Sequence, residues 1–187
     1  MRRLTWVAGL LLAWALCGCV QRVPEVRLAE PRPISVLYLV DGAREAGVSE
    51  APAVLKAAVE AALQRRNLQP QEQPLGPLAA SFGRVRESGR RMAEFSKVAG
   101  EAPLRLLVEL DAEFFSHLQG RYRWQVRARL TAGAAGAEPD TDALNFPAYV
   151  NFDHEQVPEV LSTAAPTVAD RVGALFDQVL AAEPPQG

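Results

Sequence analysis

Thiols and imidazoles are nearly absent from this 187-residue chain. Its two cysteines, Cys17 and Cys19, sit near the amino terminus, and its two histidines, His117 and His154, lie far away along the chain. No disulfide can therefore staple a domain that follows Cys19, and no cysteine there can act as nucleophile or thiolate ligand. Charge of one sign is also lacking. Twenty Lys and Arg stand against 22 Asp and Glu, a formal charge of -2. That balance excludes a nucleic-acid binder relying on a strongly basic surface. There is no Gly-x-x-x-x-Gly-Lys phosphate loop, no dinucleotide glycine fingerprint and no His-Glu-x-x-His zinc motif. There is no Gly-x-Ser-x-Gly elbow either. The longest apolar run, Leu4 to Leu16, falls short of the roughly 20 residues a comfortable membrane span needs. What is present is globular in kind: 49% apolar, 22% charged and 7% aromatic residues, in a length that suits one domain.

The amino terminus has the order of an export signal. Met1-Arg2-Arg3 is cationic, Leu4 to Leu16 is apolar but for Thr5, and small residues follow. Leu16-Cys17-Gly18-Cys19 resembles a bacterial lipobox, with Leu16 at -3, Gly18 at -1 and Cys19 as the acceptor. The resemblance implies that residues 1–18 are removed and that Cys19 is diacylated on sulfur and then acylated on its new amine. Each acyl chain contributes about 0.8 kcal/mol per buried methylene, so several chains anchor stably. Val20, where an Asp would retain the protein at the inner membrane of enteric bacteria, implies the outer membrane, with the domain in the periplasm. Two other readings stay open: cleavage after Ala13-Trp14-Ala15, releasing a soluble protein, and an uncleaved anchor. Loss of Arg2 and Arg3 leaves 18 basic residues against 22 acidic, about -4 for the mature chain.

Residues 19–33 read as the lipidated anchor and a proline-punctuated tether that holds the domain off the bilayer. Residues 34–182 read as a single α+β domain, and 183–187 as a tail. Ile34 to Val40 is a strand apolar on both alternating faces. Ser49 is expected to cap a helix with Pro52 in its first turn. Val54, Leu55, Ala58, Val59, Ala62 and Leu63 would form its stripe and Asn67 its stop. Leu68 to Leu78 suits a short edge strand followed by a loop. Ser81 to Ala99 predicts a helix weakened by Gly83 and Gly89, about 1 kcal/mol each.

The strongest pattern is a hairpin. Leu104, Leu106, Val108, Leu110, Ala112 and Phe114 alternate with Arg105, Leu107, Glu109, Asp111, Glu113 and Phe115, and Tyr122, Trp124, Val126, Ala128 and Leu130 alternate with Arg121, Arg123, Gln125, Arg127 and Arg129. A loop centred near Leu118 pairs Phe114 with Tyr122, Leu110 with Val126, Glu113 with Arg123 and Glu109 with Arg127. One face is then apolar and the other a ladder of opposite charges. Phe146, Ala148, Val150 and Phe152 predict a third antiparallel strand near an edge, because of Pro147. Val160 to Leu180 predicts a last helix that Pro166 kinks or divides. The fold class expected is α+β: a two-layer sandwich of an about four-stranded mixed sheet with helices packed on one face.

No catalytic, cofactor-binding or metal-binding residue is assigned. His117 falls at the hairpin tip. Asp153, His154 and Glu155 are adjacent on an extended chain, so they cannot all converge on one ion, and they read as a solvated strand end. Arg84, Arg86, Arg90, Arg91 and Lys97 read as a solvated helix face partly paired with Glu87, Glu94 and Glu101; contact with an anionic surface is the other reading. Leu107 and Phe115 are apolar on the charged side of the hairpin, which makes them the candidate partner contacts.

The order of elements adds a second resemblance. A lipidated cysteine and tether precede a strand and the helix Ala53-Val54-Leu55-Lys56-Ala57-Ala58-Val59. Then Phe95-Ser96-Lys97-Val98-Ala99-Gly100 leads into Leu104-Arg105-Leu106-Leu107-Val108-Glu109-Leu110. This layout resembles envelope-assembly lipoproteins of the CsgG and LpoB type, the amino-terminal domain of TolB, and LptE. It implies a non-catalytic accessory module that docks on a larger envelope protein complex, tied to the lipid bilayer through acylated Cys19. The alternatives are a periplasmic lipid or small-ligand binding protein and a hydrolase.

Overall fold

The apolar strand near residue 34 is where the sheet is built. In a computed structural model, which describes residues 25–41, 48–85, 87–118, 120–151 and 157–182, β1 spans Arg32–Asp41. The following elements are β2 (Val48–Ser49), α1 (Ala53–Arg65), β3 (Leu68–Glu72), α2 (Gly76–Phe82), α3 (Ser88–Val98), β4 (Leu104–Leu118), β5 (Arg121–Ala134), β6 (Asp140–Asn151) and α4 (Val157–Ala182). The sheet runs β2-β1-β4-β5-β6, with β3 also paired to β1. β1 is parallel to β3 and β4; β4, β5 and β6 form an antiparallel meander. The α+β class and mixed sheet expected from the sequence are present, with six strands instead of about four.

Alternation decides what each face buries. Ile34, Val36, Tyr38, Leu104, Leu106, Val108, Val126, Ala128 and Leu130 face α1 and α4 and make the larger core with Leu55, Val59, Leu161, Val168 and Phe176. The second face is covered over β1, the first half of β4 and the part of β5 beside it. There Leu37, Leu39 and Leu107 meet Leu78, Phe82, Met92 and Phe95 of α2 and α3. Helices on one face therefore describe β6 and the hairpin end of β5, whereas β1 and the first half of β4, with the β5 residues paired to it, are sandwiched. Their runs of Leu and Val on both alternating positions are the reason.

Boundaries shift where turn chemistry competes. Ser49 belongs to β2, and Pro52 is the residue that opens α1. Val54 is 59% exposed, so the stripe of α1 begins at Leu55. Asn67 ends this passage with φ 62°, a left-handed value that Asn tolerates better than most residues. The segment around Gly83 breaks the expected helix into α2 and α3, whereas Gly89 is accommodated inside α3. Pro166 lies within one continuous 26-residue helix.

The hairpin keeps its faces but not its pairs. Leu110 opposes Ala128 and Phe114 opposes Trp124, two positions from expectation. The turn is tighter than expected, with strand pairing out to Leu118 and Arg121, and Phe115 is bulged out of the ladder. A shift of two leaves every side chain on its original face. The expected Glu109–Arg127 and Glu113–Arg123 pairs become Glu109 opposite Arg129 and Asp111 opposite Arg127. Asn145 through Asn151 form part of β6, an edge strand as Pro147 suggested. Phe152 lies outside the described residues.

The chain before β1 is held by the domain. Val26 N–H donates to Asp177 Oδ1 at 2.9 Å, Leu28 N–H to the Arg66 carbonyl at 3.1 Å, and Asn67 Nδ2 to the Leu28 carbonyl at 3.1 Å. The ordered domain thus reaches back to Glu25, and a free tether as far as residue 33 is not what the structure shows. Arg66 and Asp177 form the clamp, with Nε to Oδ1 at 2.9 Å and Nη2 to Oδ2 at 2.8 Å, both residues buried. Gly173 leaves room for it, since a Cβ there would come within 2.7 Å of Arg66 Nη2.

Candidate functional site

Past Val40, β1 stops pairing with β4, and β4 continues paired to β5, which pairs in turn with β6. The result is a three-stranded extension whose outward face carries no helix. Eight residues of β4 beyond Leu110 correspond to roughly 25 Å. The extension points away from the end at which the chain enters, because Ile34 pairs with Leu104 and Val40 with Leu110.

At the root of the extension lies a cleft of about 330 Å³ lined by Asp41, Arg91, Glu109, Asp111, Arg127, Arg129 and Asn145, among others. Its inner wall is a buried ion network. Arg91 Nη1 donates to Glu109 Oε1 at 2.8 Å, and Nη2 to Asp41 Oδ2 at 3.0 Å and to the Phe82 carbonyl at 2.7 Å. Ser88 Oγ donates to Glu109 Oε2 and accepts from Arg129 Nη1, the latter at 2.8 Å. Arg91 is 2% exposed and Glu109 5%. Every arm of Arg91 is used, so it pins α3 to the end of β1 and to the middle of β4 and is not available to a ligand.

The outer wall is wetter. Arg127 reaches Glu113 at 2.5 Å and Asp111 at 3.5 Å. Burial holds the Asp111 carboxyl above its usual range, with the charges of Asp41 and Glu113 acting in the same direction and Arg127 against them. The cleft balances three carboxylates with three guanidinium groups.

Toward the tip the surface becomes aromatic. Phe115, put out of the ladder by the bulge, is 61% exposed, and Tyr149 is 45% exposed. Arg123 lies over the Phe115 ring at 4.7 Å. On the other face Phe114 meets Tyr122 and Trp124 edge to face at 5.6 and 5.8 Å. His117 is part of that ring cluster, 4.9 Å from Tyr122 and 5.4 Å from Phe114.

Of the two candidate partner contacts, Phe115 is on the surface and Leu107 is not. Leu107 is fully buried under α2 and α3, because the side of β4 read as wet is covered along its first half. In the basic cluster, Arg90 pairs with Glu87 at 3.1 Å and Lys97 with Glu94 at 2.6 Å, as a solvated helix face would. Arg91 departs from the cluster and is the buried one. Cys19, Arg86 and the Asp153-His154-Glu155 run lie outside the described residues. Among the described residues, no group of three or more His, Cys, Asp and Glu could hold a metal ion.

The Arg91–Glu109 and Arg66–Asp177 networks escaped the sequence reading. A signal was present: Ser88, Arg91, Met92 and Phe95 follow helical spacing, so Arg91 sits on an apolar stripe. Glu109 likewise interrupts Leu106-Leu107-Val108 and Leu110, and Asp177 follows Phe176. A charge at a core position indicates a buried partner.

Neither a protein-family model nor a curated relative matches the sequence. Solved structures with similar layout include the rare lipoprotein B of Shewanella oneidensis, 11% identical over 80% of this chain and 97% of that one, with a TM-score of 0.40. A lipoprotein of Neisseria meningitidis is 12% identical over 75% and 98%, TM-score 0.38. A minor lipoprotein of Acinetobacter baumannii is 12% identical over 82% and 97%, TM-score 0.38.

Proposed function

We propose that this chain is a lipid-anchored, non-catalytic module of the bacterial cell envelope that works by docking on a larger protein complex. Acylation of Cys19 would tie it to the outer membrane with the domain in the periplasm. The observation that carries the reading is the extension of β4, β5 and β6. It is a three-stranded platform with an outward face that no helix covers among the described residues, a charged cleft at its root and exposed Phe115 beyond it. Every arginine in the wall of the cleft is already held by this chain's own groups, which suits recognition better than chemistry.

The small-ligand alternative has the cleft in its favour. Its lining sets the charged side chains beside Leu110, Ala128, Ala143 and Leu144, which suits a polar or an amphipathic ligand.

Two measurements test the reading separately. Cell fractionation of Cys19→Ala should move the protein from membranes to the soluble periplasm; membrane retention of the variant would overturn the anchor. Cross-linking in intact cells, with a carboxy-terminally tagged copy, should recover one reproducible envelope complex. Recovery of the chain alone would overturn the docking.

A further inference from the structure

The free end of the hairpin differs in chemistry from the rest of the domain. From Phe114 to Leu130 there is no acidic residue, and Arg121, Arg123, Arg127 and Arg129 are the charged ones. On β6, Ala143 to Asn151 carries no charge at all. Aromatic rings stand on both faces of this end: Phe114, Tyr122 and Trp124 on one, Phe115 and Tyr149 on the other. Among the described residues no ion pair engages Arg121 or Arg123, and Arg123 rests on the Phe115 ring instead. Exposed rings beside guanidinium groups match what the headgroup layer of an anionic bilayer accepts.

The anchor bounds the reach. The domain is already held at Glu25 and Val26. The stretch from Cys19 to Glu25 spans at most about 20 Å when fully extended. So short a connection keeps the domain at the bilayer, and a domain lying along the surface would bring the hairpin end to the headgroups. The second contact is then intramolecular, so a weak interfacial affinity is enough.

We propose that the hairpin end, centred on Phe115, Arg123 and Tyr149, is a second membrane contact that seats in the anionic headgroup layer of the bilayer holding acylated Cys19. The proposal rests on the lipid-anchor reading above, and it names what the far end of the extension meets.

The chain supplies its own probe. Trp6 and Trp14 belong to the leader, so Trp124 is the one tryptophan of the mature lipoprotein. The full lipidated protein is placed on vesicles of phosphatidylcholine with and without phosphatidylglycerol, carrying brominated acyl chains that quench nearby indoles. Trp124 emission should fall and shift to the blue on the anionic vesicles. In Phe115→Ser combined with Arg123→Glu the protein should stay on the vesicles while quenching is lost. Each arginine is expected to contribute about five-fold to the partitioning of the tip. Phe115→Trp in a Trp124→Phe background puts the probe on the exposed face and should be quenched more strongly. Vesicle-bound protein with unquenched emission from both positions would overturn the tip contact and leave the anchor standing. Equal quenching on neutral and anionic vesicles would overturn the headgroup recognition. Protein that fails to sediment with the vesicles would overturn anchor and tip together.

Discussion

The two halves of β4 place charged side chains in opposite situations. From Leu104 to Leu110 the strand has helices on both sides, and its one carboxylate, Glu109, is sealed against Arg91 and Ser88. From Asp111 to Leu118 the same strand has a bare outward face, and Glu113 meets Arg127 with both side chains near half exposure. The chemistry of the pair is alike and the surroundings are not. A buried pair that loses one partner leaves an uncompensated charge in a low dielectric, whereas an exposed pair that loses one partner leaves a solvated ion. The closed half therefore carries the fold, and the open half is free to change for binding.

The sharpest way to break that contrast is to remove one arginine from each half. Arg91→Ala should destabilise by about 3–5 kcal/mol, since it strands Glu109 and unpins α3. Asp177→Ala, which strands Arg66 in the same manner, belongs to the same class. Arg127→Ala should cost less than about 1 kcal/mol. Urea unfolding followed by circular dichroism checks both, and similar losses at the two arginines would end the distinction.

Apolar residues sharpen it next. Phe95→Ala, in the cluster beneath α3, should cost about 3–5 kcal/mol through a cavity. Phe115→Ser should stay within about 0.5 kcal/mol, because the ring is already in solvent. Thermal denaturation of the two variants decides it.

The smallest effect is a pH dependence. The raised carboxyl pKa of Asp111 means that the folded state holds its proton more tightly than the unfolded state. Stability from this group is present at low pH and is lost as pH rises through the folded value. Asp111→Asn should therefore be slightly more stable than the wild type at neutral pH, and the advantage should vanish in acid. Melting curves at the two pH values check the sign.

Periodicity made most of this legible in the sequence. Alternation in Leu104–Phe114 and Tyr122–Leu130 fixed the strands and their faces, since only a one-residue slip would exchange them. It could not fix the register, which the tight turn and the Phe115 bulge set. Runs apolar on both faces, such as Ile34 to Val40, already implied cover on two sides, yet Leu107 was read as surface because Arg105 and Glu109 flank it. Glu109 itself is bonded to Ser88 and Arg91 of α3. The site was harder to see. The cleft joins Asp41, Arg91, Glu109, Arg127 and Asn145 from five elements, and no local pattern brings residues so far apart in sequence together. Phe115 was visible because an aromatic at a polar position is a local anomaly.

The account's central claim is that the open half of β4–β6 is the working surface. Its most direct test is a photo-reactive residue at Asn145, on the rim of the cleft, in the lipidated protein in living cells. The control is the same residue at Val54, also exposed but on α1. A discrete adduct with an envelope protein from position 145, and none from position 54, is the predicted result. The same adducts from both positions, or none from 145, would contradict it.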